Sequence, residues 1–265
     1  MKEIRIVYDF DGTLCPKFMQ EYGLTEALGY DNSKDCFNAV NEFIEKHDMD
    51  LIIGALCFIQ QKAKERNIKV TKEWFASIAK NVEFFKGVKE YFNKINEYGK
   101  IKGVNIEHYI ISSGHKEIID ATPIAKYFKV IYGSFFAYNA NGEAFYPSQA
   151  INSNNKVQFL YRIHKNAFGY LDDSLNQLME EENCFPFKNM VYIGDGYTDI
   201  PCMQVTKSNG GKSIVVYNPN SNKSKESAEQ IFKDGRVDFK AKADYSESGE
   251  LFDYLKKLID EISTK

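Results

Sequence analysis

The chain has no continuous apolar run approaching the ~18 residues that a membrane-spanning helix requires. Its first residues enter a short β-branched stretch at once, without the apolar centre of a signal peptide, so a cytoplasmic location is expected. There is no excess of positive charge. The net charge is −3, which offers nothing to a nucleic-acid backbone. No Cys-x-x-Cys pair occurs. The five cysteines, Cys15, Cys36, Cys57, Cys184 and Cys202, fit free thiols in a reducing compartment better than a disulfide framework. The four histidines, His47, His108, His115 and His164, lack metal-ligand spacing. Internal repeats, low-complexity tracts and proline-rich linkers are also missing. What remains is ordinary globular composition: 265 residues, 43% hydrophobic and 27% charged. That length suits one large domain, or one domain carrying an inserted module.

Strand and helix patterns alternate along most of this length. Ile4–Tyr8 reads as a strand. From about Pro16 to Val82 no strand pattern appears. Helical patterns there run through Cys36–His47, Leu51–Glu65 and Thr71–Lys80, with Asn32-Ser33 and Thr71 as N-caps. A further helix runs from about Val88 to Tyr98. Glu107–Ile111 is the second strand, ending in Ser112-Ser113-Gly114, and a helix follows near Lys116–Ala121. Val130–Tyr132 reads as a short strand. Phe135–Tyr138 and Ala144–Tyr146 flank a hairpin turn. Lys156–Lys165 is a helix, and Gly169–Pro186 is an acidic, polar excursion. Met190–Ile193 is a strand, Tyr197–Val205 a helix interrupted by Pro201, and Ser213–Tyr217 a strand. Lys223–Lys233 and Gly249–Ile262 are helices, with a short extended piece at Ala243–Tyr245. The pattern predicts an α/β fold with a doubly wound, mostly parallel sheet and an inserted all-helical module. The expected domains are 1–14 with 84–265 as the core, and 15–83 as the insert.

Acidic residues mark the strand ends. Asp9-Phe10-Asp11-Gly12-Thr13 follows the first strand directly, with Gly12 giving the backbone freedom for a sharp exit. Ser112-Ser113 ends the second strand, and Gly194-Asp195-Gly196-Tyr197-Thr198-Asp199 follows another. In a doubly wound sheet such ends converge on one crevice. Four carboxylates in one crevice repel one another unless a cation or protons intervene. Oxygen-only ligands point to Mg²⁺. A lysine, hydroxyls and backbone N–H groups beside the metal suit a phosphoryl group. Lys156, near a helix start, is the candidate lysine, with Lys126 and Lys165 as alternatives. Cys15 lies close to the acid pair, but no histidine accompanies it in a Cys/His pattern.

These residues resemble the haloacid dehalogenase (HAD) superfamily on its phosphatase branch. Asp9 to Thr13 matches the family's Asp-x-Asp-x-Thr motif, and Ile110-Ile111-Ser112 its apolar strand ending in Ser or Thr. Lys156 matches the third-motif lysine, and Gly194 to Asp199 the Gly-Asp-x-x-x-Asp motif. The four occur in order and span most of the chain. The resemblance implies that Asp9 is a nucleophile taking up the phosphoryl group, and that Asp11 protonates the leaving alcohol and then activates water. It implies that Thr13 orients the loop, and that Thr13, Ser112, Ser113 and Lys156 serve the phosphate. It implies a Mg²⁺ shell of Asp9, Asp11, Asp195 and Asp199, the last directly or through water. Asp199 as a helix-face carboxylate and Ser113 as a turn residue stay open, as does His115 as substrate contact or helix cap. The presence of Asp11 argues against halide chemistry.

The helical stretch occupies the position of a type C1 cap, which in this family closes over the site and selects the leaving group. Phe18, Met19, Tyr22, Phe43, Phe58, Trp74 and Phe75 within it fit the insert's own core. Lys17, Gln20 and Glu21 are candidates to face the leaving group. The hairpin after the second motif is loosely similar to that of the phosphoserine phosphatase-like subgroup. The resulting expectation is a Mg²⁺-dependent phosphatase acting on a small phosphorylated metabolite, with no nucleic-acid or membrane partner. A phosphomutase or phosphotransferase, or a non-catalytic binding protein on the same fold, are the alternatives.

Overall fold

Ile4, Ile6 and Tyr8 of strand β1 (Lys2–Tyr8) enter one hydrophobic core and Val7 enters a second. A near-continuous apolar run encodes such a strand, covered on both faces. The structure, a computed structural model, describes residues 2–177 and 183–264. The other strands are β2 (Val104–His115), β3 (Phe128–Tyr138), β4 (Ala144–Gln149), β5 (Met190–Gly194), β6 (Lys212–Tyr217) and β7 (Phe239–Lys242). They form one sheet of order β4-β3-β2-β1-β5-β6-β7. All neighbours pair in parallel except β3 and β4. The chain winds outward through β2 and β3 on one side of β1, then through β6 and β7 on the other. The reversal therefore lies between β1 and β5, and a crevice opens at the C-terminal ends of these strands.

Between β1 and β2 the chain is helical: α1 (Leu24–Ala27), α2 (Ser33–His47), α3 (Leu51–Glu65), α4 (Lys72–Ala79) and then α5 (Val88–Ile101). Asn32 and Thr71 cap α2 and α4 as expected, accepting from the N–H groups of Asp35 (2.9 Å) and Trp74 (3.1 Å). Asp50 caps α3 in the same way. Helix α6 (Lys116–Asp120) follows β2, α7 (Lys156–His164) follows β4, and α8 (Ile200–Ser208) follows β5. Helices α9 (Asn222–Lys233) and α10 (Glu250–Thr264) follow β6 and β7. Apolar stripes of α5 and α10 cover one face of the sheet, and those of α7, α8 and α9 cover the other. No helix among the described residues is long and apolar enough to cross a membrane.

Some elements differ from the sequence reading. Val130–Tyr132 and Phe135–Tyr138 are one strand, β3, whose first half pairs with β2 and whose second half pairs with β4. Gly133 lets it pass α6 closely: a Cβ there would lie 3.0 Å from the Cα of Lys116. β2 runs on to His115, with a register shift between Ile111 and His115. The last strand is Phe239–Lys242, not Ala243–Tyr245, because Asp244 turns the chain by accepting from Ser246. Pro201 does not interrupt a helix. It lies in the first turn of α8, where no N–H is required of it. In the 169–186 excursion, Asp173–Asn176 forms a 3₁₀ turn, and 178–182 fall outside the described residues.

The insert is tied to the sheet at more than one point. The Phe85 N–H donates to the carbonyl of Leu14 (3.0 Å), closing its neck. The β3–β4 hairpin reaches it from the other direction. Ala144 N–H donates to the carbonyl of Val70 (2.8 Å), and Gln60 Nε2 donates to the carbonyl of Ala144 (3.1 Å).

His108 on β2 is a packing residue. Its Nδ1 meets the hydroxyl of Tyr8 (3.0 Å) and its Nε2 meets Asn96 Oδ1 (2.9 Å), a pattern that fits the neutral ring with the proton on Nε2. Burial pushes its pKa down from 6.5 to about 3. An unfolded histidine titrates near 6.5, so between that pH and about 3 the unfolded chain binds the extra proton and stability falls as pH falls. At pH 5 this one residue is expected to cost on the order of 2 kcal/mol. Urea titrations at pH 7 and pH 5 should show a smaller stability loss in His108→Gln than in the unsubstituted chain. Equal losses in the two proteins would remove His108 from the acid response.

Candidate active site

Lys156 is 1% exposed, yet it carries an ammonium group. The turn Asn152–Asn155 delivers it. Asn152 Oδ1 accepts from the N–H groups of Asn154 and Asn155, and Asn155 Oδ1 accepts from Asn152 N–H (2.8 Å). Ser134 ties this turn to the second strand end. Its Oγ donates to the carbonyl of Ser113 (2.9 Å) and accepts from Ile151 N–H (2.9 Å). From the first position of α7, Lys156 Nζ donates to Asp9 Oδ1 (2.9 Å) and to Asp199 Oδ1 (2.8 Å). Burial alone would strip its proton, but Asp199 and Asp9 outweigh that and hold its pKa well above the ordinary lysine range.

Asp9 leaves β1 with its N–H donating to the carbonyl of Ile193 on β5 (2.9 Å), so the acid pair starts at the winding reversal. Burial, then the charge of Asp199, raises Asp9 to about 6, with Lys156 working against both. Asp11 is raised further, to about 8, by burial and then by Asp9. Gly12 has φ 73° and takes the carboxylate of Asp195 against its bare Cα. A Cβ there would collide with Asp195 Oδ2. Asp195 is raised well above the usual carboxylate range by burial and then by Asp199.

The carboxylates of Asp9, Asp195 and Asp199 each place an oxygen within 4.8 Å of the others. With Asp11, four carboxylates surround one ammonium. An oxygen-only donor set with this excess of negative charge fits a hard divalent cation. Asp199 stands apart within the set. It is fully buried, and its Oδ1 accepts from Lys156 and from Tyr192 OH (2.8 Å). Its Oδ2 accepts from the N–H groups of Asp195 (3.2 Å) and Gly196 (3.4 Å). Four donors occupy its two oxygens, so its first task is to position Lys156 and the Asp195 loop.

One cavity of about 400 Å³ collects Asp9, Asp11, Ser112, Ser113, Lys156 and Asp195 on its walls. Ser112 Oγ accepts from Gly114 N–H (3.0 Å), which leaves its own proton available to a ligand. Lys126 and Lys165 do not line this cavity. Neither does Thr13, which was expected beside the phosphate. It is fully buried beneath the loop, and its carbonyl accepts from Tyr245 OH (2.9 Å). His115 also lies off the cavity. It stacks on Phe75 with 5.1 Å between ring centroids, and burial lowers its pKa to about 4. Cys15 is buried and its thiol is pushed well above its ordinary range, which disfavours a thiolate nucleophile.

Of the three residues expected near a leaving group, only Gln20 lines the cavity. Lys17 pairs with Glu83 (3.7 Å), and the two Glu21 oxygens accept from Phe18 N–H and Ser33 Oγ. Met19, Tyr22, Phe58 and Phe75 are buried as expected, but Phe18 faces the cavity. Sequence reasoning missed Tyr192, which looked like a strand residue only. It also missed the walls supplied by Phe37, Val40, Leu51, Ile52 and Ala55. Their helical spacing carried the signal, but core-facing residues share it.

No protein-family model matches the chain. An uncharacterized protein of Borreliella burgdorferi is 22% identical across 97% of this chain and 96% of its own length. Solved structures share the fold. A phosphoserine phosphatase in apo form superposes with a TM-score of 0.58 at 16% identity, over 96% of this chain and 98% of that one. A structure described as a phospho-aspartyl intermediate analogue of phosphoserine phosphatase gives 0.54 at 14% identity, over 97% and 99%. A HAD family hydrolase of Salmonella enterica gives 0.52 at 17% identity, over 81% of this chain and 62% of that one. This chain therefore shares its doubly wound fold with these phosphoserine phosphatases and with that HAD family hydrolase.

Removing the ammonium strands two buried carboxylates. Lys156→Met is expected to cost about 3 kcal/mol in urea unfolding at pH 7 with chelator present. Tyr192→Phe deletes one of four donors to Asp199 and should cost about 1 kcal/mol. A Lys156→Met protein as stable as its parent would show that the ammonium does not hold these segments together.

Proposed function

We propose that the protein is a HAD family phosphatase that hydrolyses a small phosphomonoester through an aspartyl-phosphate on Asp9. The observation that carries this reading is the buried Lys156, held on Asp9 at the wall of a cavity that Ser112, Ser113, Asp11 and Asp195 share. Structural likeness to phosphoserine phosphatases, one of them a phospho-aspartyl intermediate analogue, supports it.

Lys156 engages only Oδ1 of Asp9, which leaves Oδ2 to attack phosphorus. The bond from phosphorus to the leaving oxygen breaks as the new bond forms. Asp11, raised to about 8, holds a proton at neutral pH and gives it to that oxygen. As a carboxylate it then takes a proton from the water that attacks phosphorus and frees Asp9. Ser112 Oγ–H and the Ser113 N–H donate to the phosphate oxygens, and Lys156 balances their charge. Mg²⁺ suits the oxygen donors of Asp9, Asp195 and the Asp11 carbonyl, and when bound it supplies further positive charge to the phosphoryl group. Asp199 acts through Lys156 and the Asp195 loop, and would complete the metal's shell directly or through water. Residues 15–83 act as a cap over the core formed by 1–14 and 84–265, excluding bulk water.

With Mg²⁺ present, phosphate release should be detectable from a panel of phosphorylated metabolites. Asp9→Asn should reduce it at least ~10³-fold, since no carboxylate oxygen remains to form the intermediate. Chelator should silence the unsubstituted enzyme and added Mg²⁺ should restore it. Near-normal release from Asp9→Asn would remove the nucleophile, and full activity in chelator would remove the metal.

A further inference from the structure

The cavity is charged at one end only. Among the described residues that line it, the charged ones are Asp9, Asp11, Lys156 and Asp195, all at the phosphate end. The remaining wall comes from α2, α3 and the loop after β1. Phe37 and Val40 project from α2, and Leu51, Ile52 and Ala55 from α3. Phe18 closes the loop side, with its ring edge-on to Phe37 at 6.0 Å between centroids. Gln20 and Asn41 are the polar side chains of this wall, and Thr198 reaches the cavity from the loop after β5; all three are neutral. The apolar surface continues outward to the mouth, where Phe18 is 57% and Leu51 56% exposed. Two large apolar side chains facing water at the rim of a cavity mark a ligand-binding wall rather than core packing.

Charges that could have served a zwitterionic leaving group are engaged elsewhere. Lys17 pairs with Glu83, and Glu21 spends both oxygens on Phe18 N–H and Ser33 Oγ. An amino-acid phosphate would bring an ammonium and a carboxylate against a wall that, among the described residues, offers neither charge a partner. Unpaired charges desolvated in this way cost several kcal/mol.

We propose that the leaving group is an uncharged, largely apolar alcohol, so that the substrate is an alkyl or aryl phosphomonoester carrying at most neutral hydrogen-bonding groups. This inference rests on the phosphatase reading and narrows it. Gln20 and Asn41 meet a hydroxyl, ether or amide on the leaving group, while Phe18, Phe37 and Leu51 cover its carbon skeleton.

The test compares kcat/KM for phenyl phosphate, n-hexyl phosphate and L-phosphoserine with Mg²⁺ present. Phenyl or hexyl phosphate should exceed phosphoserine by about 100-fold, and the better of the two separates a ring from a chain. Phe37→Ala, on the half-buried face of α2, should raise KM for the preferred ester about tenfold with little change in kcat. Phosphoserine turnover equal to or better than both esters would overturn the inference while leaving the phosphatase reading intact. Failure of the unsubstituted enzyme to release phosphate from any of the three would remove the phosphatase reading for these substrates. Calorimetry then decides the cavity's preference with phenylphosphonate and 2-amino-3-phosphonopropionate. Tighter phenylphosphonate supports the inference, and equal, weaker or absent binding overturns it.

Discussion

The Lys156 ammonium is the interaction on which the site depends. A charge taken out of water is costly, and the protein offsets this with two carboxylates that are themselves buried. Neither half is tolerable alone. The arrangement joins the end of β1, the start of α7 and the loop between β5 and α8, segments that lie 147 and 43 residues from the lysine's own position. The sheet must bring β1 and β5 side by side before the triad can form. The proposed chemistry and the folding of this region therefore rest on the same three side chains.

Around that triad each neighbouring segment has one local device. The Asn152–Asn155 turn aims the lysine, Ser134 locks that turn to the second strand end, and Tyr192 fills the remaining side of Asp199. Gly12 removes the side chain that would keep Asp195 away from the first loop. The cavity beyond is built on the opposite principle. Helix faces supply bulk and no charge, so polarity falls from the phosphate end towards the mouth. In the proposed phosphatase, electrostatics fixes where the phosphoryl group sits, and shape and apolar area act on whatever is attached to it.

The doubly wound sheet was legible because strand and helix alternate with few ambiguous stretches, and because each acidic cluster follows a strand pattern directly. The same local reading located Asp9, Asp11, Ser112, Lys156 and Asp195, which the fold gathers at one cavity. Asp199 reads from sequence as an acid among acids. That its oxygens are filled by Tyr192 and two backbone N–H groups is a property of the folded loop. Thr13 sits in the motif, yet the loop turns its side chain beneath the surface. The sequence reading places two strand pieces either side of Gly133-Ser134, whereas the chain runs through as one strand and Gly133 permits a close crossing beside Lys116. The walls on α2 and α3 were hidden for a more general reason. A stripe that faces a cavity and a stripe that faces a core have the same period, and only the packing of neighbouring elements tells them apart. Lys17 and Glu21 failed in the opposite sense, because proximity in sequence says nothing about competing partners.

The β3–β4 hairpin gives the helical insert a second mooring. At the neck, Phe85 bonds to Leu14, and away from it the hairpin bonds to Val70 and Gln60. A body held at one point swings freely, whereas each further attachment removes freedom from that swing. Any swing of the insert about its neck alone must first break the hydrogen bond from Ala144 to Val70. Asn152 Nδ2 also donates to Asp50 Oδ2 at the start of α3 (3.0 Å), and Phe75 of α4 stacks on His115 and Phe136, so movements that keep every attachment are limited to rotations of rim side chains such as Phe18 and Leu51. Access to the cavity is thus governed by a restricted set of motions, limited in part by a hairpin that belongs to the sheet and does not line the cavity.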